Sequence, residues 1–162
     1  MRDALGPVKI GLALTLLCLL LNIVLGVLFG AAEDMFQNFI KAGITAHPAL
    51  FNARSQDIIW RWFARAHFHA GGVGAFSLGM IILTALSGMS DGRKRLTAAL
   101  IGLSIFYPLA WLTMSIVAPR IGTGAAHEYW LVVLCTYIGV GTLGLGLASL
   151  VHGLFLTRSA PA

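Results

Sequence analysis

An all-α fold, an integral membrane bundle of four helices, is what this chain predicts, and two observations carry the prediction. First, 58% of its 162 residues are hydrophobic and only 10% are charged, with a mean hydropathy of +0.87. A soluble domain carries roughly 25% charged residues, so the shortfall sets the class. Second, the apolar residues gather into four runs, each near the roughly 20 residues that cross a bilayer core. The length suits one transmembrane domain, residues 1–162, made of those spans and their connections.

Span one is predicted over 8–30. It is leucine-rich and has Asn22 as its one strongly polar residue, a side chain expected to glue helices by hydrogen bonding across the bundle. Its apolar run exceeds the 7–15 residues or so of a signal segment, so a retained helix is expected. Glu33 and Asp34 close it. Met35, Phe36, Phe39 and Ile40 then recur at helical spacing, an amphipathic segment that would extend span one or lie on the bilayer surface. Residues 42–58 read as loop, punctuated by Gly43, His47-Pro48 and Asn52. Trp60, Arg61, Trp62 and Phe63 follow as an interfacial anchor. The first extramembrane connection, about 31–65, is therefore expected to be long, and long loops are often functional.

Span two is predicted over 66–86, with small faces at Gly71, Gly72, Gly74 and Gly79 that invite close helix approach. Span three covers 96–117, kinked by Pro108 and ended by Pro119. Span four covers 129–156 and is again glycine-rich. The Lys/Arg bias is carried most clearly by Arg93-Lys94-Arg95 in the short turn before span three. Short loops weigh most in orientation, so both termini are placed inside, in the cytoplasmic membrane of a bacterium.

Several function classes drop out. The net charge of +5 has that three-residue run as its main cluster, a topology signal and no nucleic-acid patch. Cys18 and Cys135 lie in apolar spans and read as small hydrophobes. The glycine spacings of span four lack the Lys-Ser/Thr of a phosphate loop. Acids are nearly absent from the spans, against an ion-driven transporter with midplane carboxylates.

What remains is polar chemistry at one end. His47, His67, His69 and His127, with Glu33, Asp34, Asp57 and Glu128, all fall on the side opposite the basic turn. In a bundle those helix ends can converge, and metal sites are built in that way. The candidate site is therefore His67, His69 and His127 as ligands of haem b or of a metal ion, copper preferred, with Glu33, Asp34 and Glu128 as ligands or orienting carboxylates. His67 and His69 are two residues apart, about 200° around a helix, so a regular helix turns them to different neighbours. The predicted function is redox chemistry, sensing or metal handling at the outer surface. The alternative is a structural or assembly subunit without a cofactor, its glycine faces packed on other membrane subunits or on further copies of itself. Arg61 and Arg65, four apart, would snorkel, pair with Glu33 or Asp57, or hold a lipid head group or quinone. His152, alone near the inner end of span four, reads as interfacial or as a bundle cap. The His67-Phe68-His69 opening of a glycine-rich span resembles the His-Ala-His helices of haem-copper-oxidase-like membrane proteins over a short stretch. That resemblance implies haem or copper, although the later spans lack the histidines of a copper centre.

Overall fold

The computed structural model describes residues 5–156, which are almost wholly helical, with no strand among them. A 3-10 turn at Gly6–Val8, begun by Pro7, leads into α1 (Lys9–Ala31). Then come α2 (Glu33–Ala46), α3 (Ser55–Leu86), α4 (Asp91–Gly102), α5 (Phe106–Ile121), the short α6 (Thr123–Glu128) and α7 (Trp130–Val151). A π-helical turn, His152–Leu156, ends the described residues. Four segments are long and apolar enough to cross a membrane: Gly6–Ala31, Ser55–Leu86, Asp91–Ile121 and Trp130–Leu156. Large apolar side chains such as Ile10, Phe68 and Phe155 stand exposed around the bundle, a surface compatible with an integral membrane protein.

The expected long loop is mostly helix. Only residues 47–54 separate α2 from α3, and α3 begins eleven residues before the predicted start at Ala66. Asn52 initiates it: its side-chain oxygen accepts from the Arg54 backbone N–H (2.9 Å) and from the Ser55 hydroxyl (3.3 Å). Ile59, Trp62, Phe63, Ala66, Ala70 and Gly74 are all buried, a helical period running unbroken from the polar segment into the apolar one. Trp62 and Phe63 are therefore core residues, not interfacial anchors. At 32 residues α3 is about 48 Å long, well beyond the roughly 30 Å of a hydrocarbon core. The amphipathic segment is a separate helix, cut from α1 at Ala32 (φ −143°, ψ 34°). It packs on α3 and α5 through Phe36 and Ile40, while Met35 and Phe39 stay exposed.

Span three reaches further than expected in both directions. Pro108 lacks an N–H, so the Ser104 carbonyl four residues back loses its helical partner. The chain responds with a 3-10 turn at Leu103–Ile105 between α4 and α5. Pro119 does not end the helix: α5 continues to Ile121 and stops at Gly122, whose φ of +88° suits glycine. Residues between the predicted spans three and four form α6.

Span three touches all three others, α4 against α1 and α7, α5 against α3 and α7. Two apolar cores result. One, around Phe36, Ile59, Trp62, Phe63 and Met114, fills the histidine end. The other, around Val8, Ile81, Ala98, Ile101 and Leu150, fills the basic end. Between α3 and the 3-10 turn, the Ser77 and Ser104 hydroxyls bond at 2.9 Å, both side chains buried. Ser77→Ala leaves Ser104 without that partner and is expected to cost about 1–2 kcal/mol, read as a lower thermal midpoint in detergent. The Ser77→Ala/Ser104→Ala pair should recover most of the loss. Cys18 and Cys135 are free and buried, as their apolar setting suggested.

Candidate functional site

The histidines at this end do not converge. Because α3 is regular, His67 turns to α1 and His69 to α5. The His67 Nδ1–H donates to the Asn22 carbonyl (2.9 Å), which fixes the tautomer and leaves Nε2 as the basic nitrogen. The ring lies over Gly26, where a Cβ would come within 2.9 Å of it, with the Phe29 ring on its edge at 5.8 Å. Asn22 thus joins α1 to α3 through its backbone, while its side chain packs on Gly71.

His69 stacks on Trp111 (5.7 Å between centroids, 23° between planes) and leans on Tyr107 (4.8 Å). One turn earlier, the Arg65 guanidinium sits 4.8 Å from the Trp111 ring centroid, a cation–π contact. Arg65 therefore meets an aromatic ring, not Glu33 or Asp57. His127, on α6, lies edge-on to Trp62 at 4.8 Å. Glu33 and Asp34 occupy the first turn of α2 and Glu128 the end of α6. Carboxylates in the first turn suit the positive end of the α2 dipole. Among the described residues no group of three or more His, Cys, Asp or Glu is placed to hold a metal ion.

What the structure does assemble is an aromatic pocket. A cavity of about 330 Å³ opens between α5 and α7, lined by Tyr107, Trp111, Met114, His127, Thr136 and Tyr137 among others. Its size lies at the small end of ligand pockets, which run roughly 300–1,000 Å³. That suits one ring system or a head group. The Tyr107 hydroxyl and the His127 imidazole bring hydrogen-bonding groups to a mostly apolar lining. Thr136 is already spent, its hydroxyl donating to the Val132 carbonyl (2.8 Å). No α3 residue lines the pocket; Arg65 and His69 reach Trp111 from the α3 side.

Sequence reasoning placed His127 here but missed Tyr107, Trp111 and Tyr137. The signal was present: Tyr107, Trp111 and Met114 recur at i, i+4 and i+7 of one helix. At the other end His152 does act as a cap. Arg93 donates to its Nδ1 (2.7 Å) and to the Ser149 carbonyl (3.3 Å), tying the start of α4 to the end of α7.

Fold and pocket together define a class: an all-helical bundle with four helices apolar enough for a membrane and an aromatic-lined cavity near one end. No protein-family model matches the chain, and no curated protein or solved structure matches it either.

Proposed function

We propose that the protein is an integral membrane protein that binds a lipid-soluble compound with a flat ring head group, a quinone, in the groove between α5 and α7. The histidine end faces outward from a bacterial cytoplasmic membrane, and both termini lie inside. The observation that carries the reading is the pocket itself. Tyr107, Trp111 and Tyr137 offer ring faces and edges, to which a planar conjugated ring binds by stacking or edge contact. The Tyr107 hydroxyl and a His127 N–H are donors for a quinone carbonyl. An isoprenoid tail would lie along the apolar outer surface of α7, where Val133, Tyr137 and Val140 are exposed. The basic run Arg93-Lys94-Arg95, in the first turns of α4, supports the orientation.

The test is a titration of the detergent-purified full chain with decylubiquinone. Binding to the folded state alone raises stability by about 2.7 kcal/mol at a free concentration 100 times Kd. A saturable rise in thermal midpoint is therefore expected. No saturable rise, with an organic extract of the protein free of quinone, would overturn the proposal.

A second reading, haem b or copper on His67, is favoured by one observation. Metal-ligating histidines commonly donate their other N–H to a backbone carbonyl, as His67 donates to Asn22. A Soret band that sharpens on dithionite reduction, lost in His67→Ala, would establish haem. Copper in elemental analysis without such a band would establish the ion. A colourless, metal-free sample would remove both.

A further inference from the structure

A second cavity, of about 500 Å³, lies between the start of α2 and the first turns of α3. Its walls differ from those of the aromatic pocket. Glu33, Asp34, Gln37 and Lys41 line it from α2, and Arg54, Gln56, Asp57 and Trp60 from the other side. Three carboxylates and two cationic side chains thus face one space. Among the described residues, none of the five forms an ion pair with another. The neutral groups do link up. The Gln56 amide donates to Gln37 (2.9 Å), and Gln37 donates to Glu33 (3.4 Å), bridging the two helices. Trp60 is held by edge contacts with Phe29 at 5.3 Å and a tilted contact with Phe36 at 6.3 Å.

These walls discriminate between ligands. A lone anion meets three carboxylates, and a lone cation meets Lys41 and Arg54. A molecule carrying both charges a few atoms apart satisfies both sets. A guanidinium and an ammonium recognise phosphate. Carboxylates accept from an ammonium, and the Trp60 ring adds a cation–π surface. A primary ammonium fits better than a quaternary one, because the carboxylates and glutamine carbonyls need N–H donors and a single indole is no cage.

The location narrows the source. The apolar run of α1 ends at Ala31, immediately before Glu33. The cavity therefore sits where that span leaves the bilayer, at head-group level, if the four helices cross it. We propose that this cavity binds a phosphate–ammonium zwitterion, the head group of phosphatidylethanolamine. The proposal uses neither His127 nor the α5–α7 groove and stands apart from quinone binding.

The experiment is native mass spectrometry of the full chain in detergent, offered phosphatidylethanolamine, phosphatidylglycerol or soluble phosphoethanolamine. Phosphatidylethanolamine should be retained over phosphatidylglycerol by about tenfold. Asp34→Asn/Asp57→Asn should reverse that preference, because the anionic lipid then meets less negative charge. Arg54→Gln should weaken retention of both lipids. Retention of soluble phosphoethanolamine alone would keep the zwitterion site and assign it a free solute. Equal retention of both lipids, or a preference the carboxylate variants leave unmoved, would overturn the proposal. The substituted residues are exposed, Asp34 on α2, Asp57 on α3 and Arg54 in the turn between them, and a thermal melt of each variant checks that the bundle is intact.

Discussion

Gly11→Ala is expected to lower the thermal midpoint of the detergent-solubilised protein by about 10 °C, while the same change at Gly144 leaves it unchanged or raises it slightly. The chemistry is identical and the surroundings decide the sign. A Cβ at Gly11 would run into the backbone carbonyl of Ala98 on α4, and Gly102 on the same segment packs back on the Gly11 Cα and carbonyl. Backbone cannot swing aside as a side chain can, so α1 and α4 must separate. That opens the core around Val8, Ala98 and Ile101. Overpacking costs typically 1–3 kcal/mol, and a backbone clash belongs at the upper end, about 3 kcal/mol. Gly144 has no atom within 4 Å of an added Cβ. There, alanine contributes up to about 1 kcal/mol of helix propensity. Paired melts check both, and an unshifted midpoint for Gly11→Ala would mean that α1 and α4 do not touch as described. The glycines expected from sequence to serve partner helices divide in the same way. Gly74 meets Leu19 within the chain, whereas Gly72, Gly79, Gly141 and Gly144 are open.

Trp111→Ala should weaken decylubiquinone binding about 30-fold, and His127→Ala or Tyr107→Phe about tenfold each. Removing the indole deletes the largest apolar surface in the groove, worth about 2 kcal/mol at the usual area coefficient. The other two changes each remove one hydrogen-bond donor. Trp111 also carries contacts from Arg65 and His69, so its loss loosens α3 against α5. Tyr107→Phe separates the effects, since it keeps the ring that His69 packs on and removes only the hydroxyl. His47→Ala, exposed at the end of α2, should bind like the unsubstituted protein. Equal affinity across the set would place the ligand elsewhere.

The histidine pair shows how far a sequence carries such a site. Their angular separation follows from helical geometry alone, and the structure keeps it: one ring on α1, the other on α5. Which helices would stand there was not legible, because apolar spans carry little pattern to identify their neighbours. The aromatic pocket was half legible. Tyr107 and Trp111 share a face by spacing, but a pocket needs α7 and His127 opposite them. The long connection expected over 31–65 is mostly helix for a local reason. Arg61, Trp60 and Trp62 have interfacial composition, yet the buried period at 59, 62, 63 and 66 runs through them and outweighs it.

The amino-acid sequence by itself determined the class of this protein. Four apolar runs with few charges predict four helices apolar enough to cross a membrane, and the structure has four such helices. It also determined that the polar groups collect at one end and the basic turn at the other. Only the tertiary structure decided which polar groups meet. Close approach depends on glycines such as Gly11, Gly26 and Gly139 facing a particular neighbour, a relation between segments far apart in the chain. That packing sends His67 to a backbone carbonyl, stacks His69 and Arg65 on Trp111, and leaves His127 on the open groove. It leaves two separate cavities at that end, an aromatic one that His127 lines and a charged one walled by residues of α2, the α2–α3 turn and the start of α3.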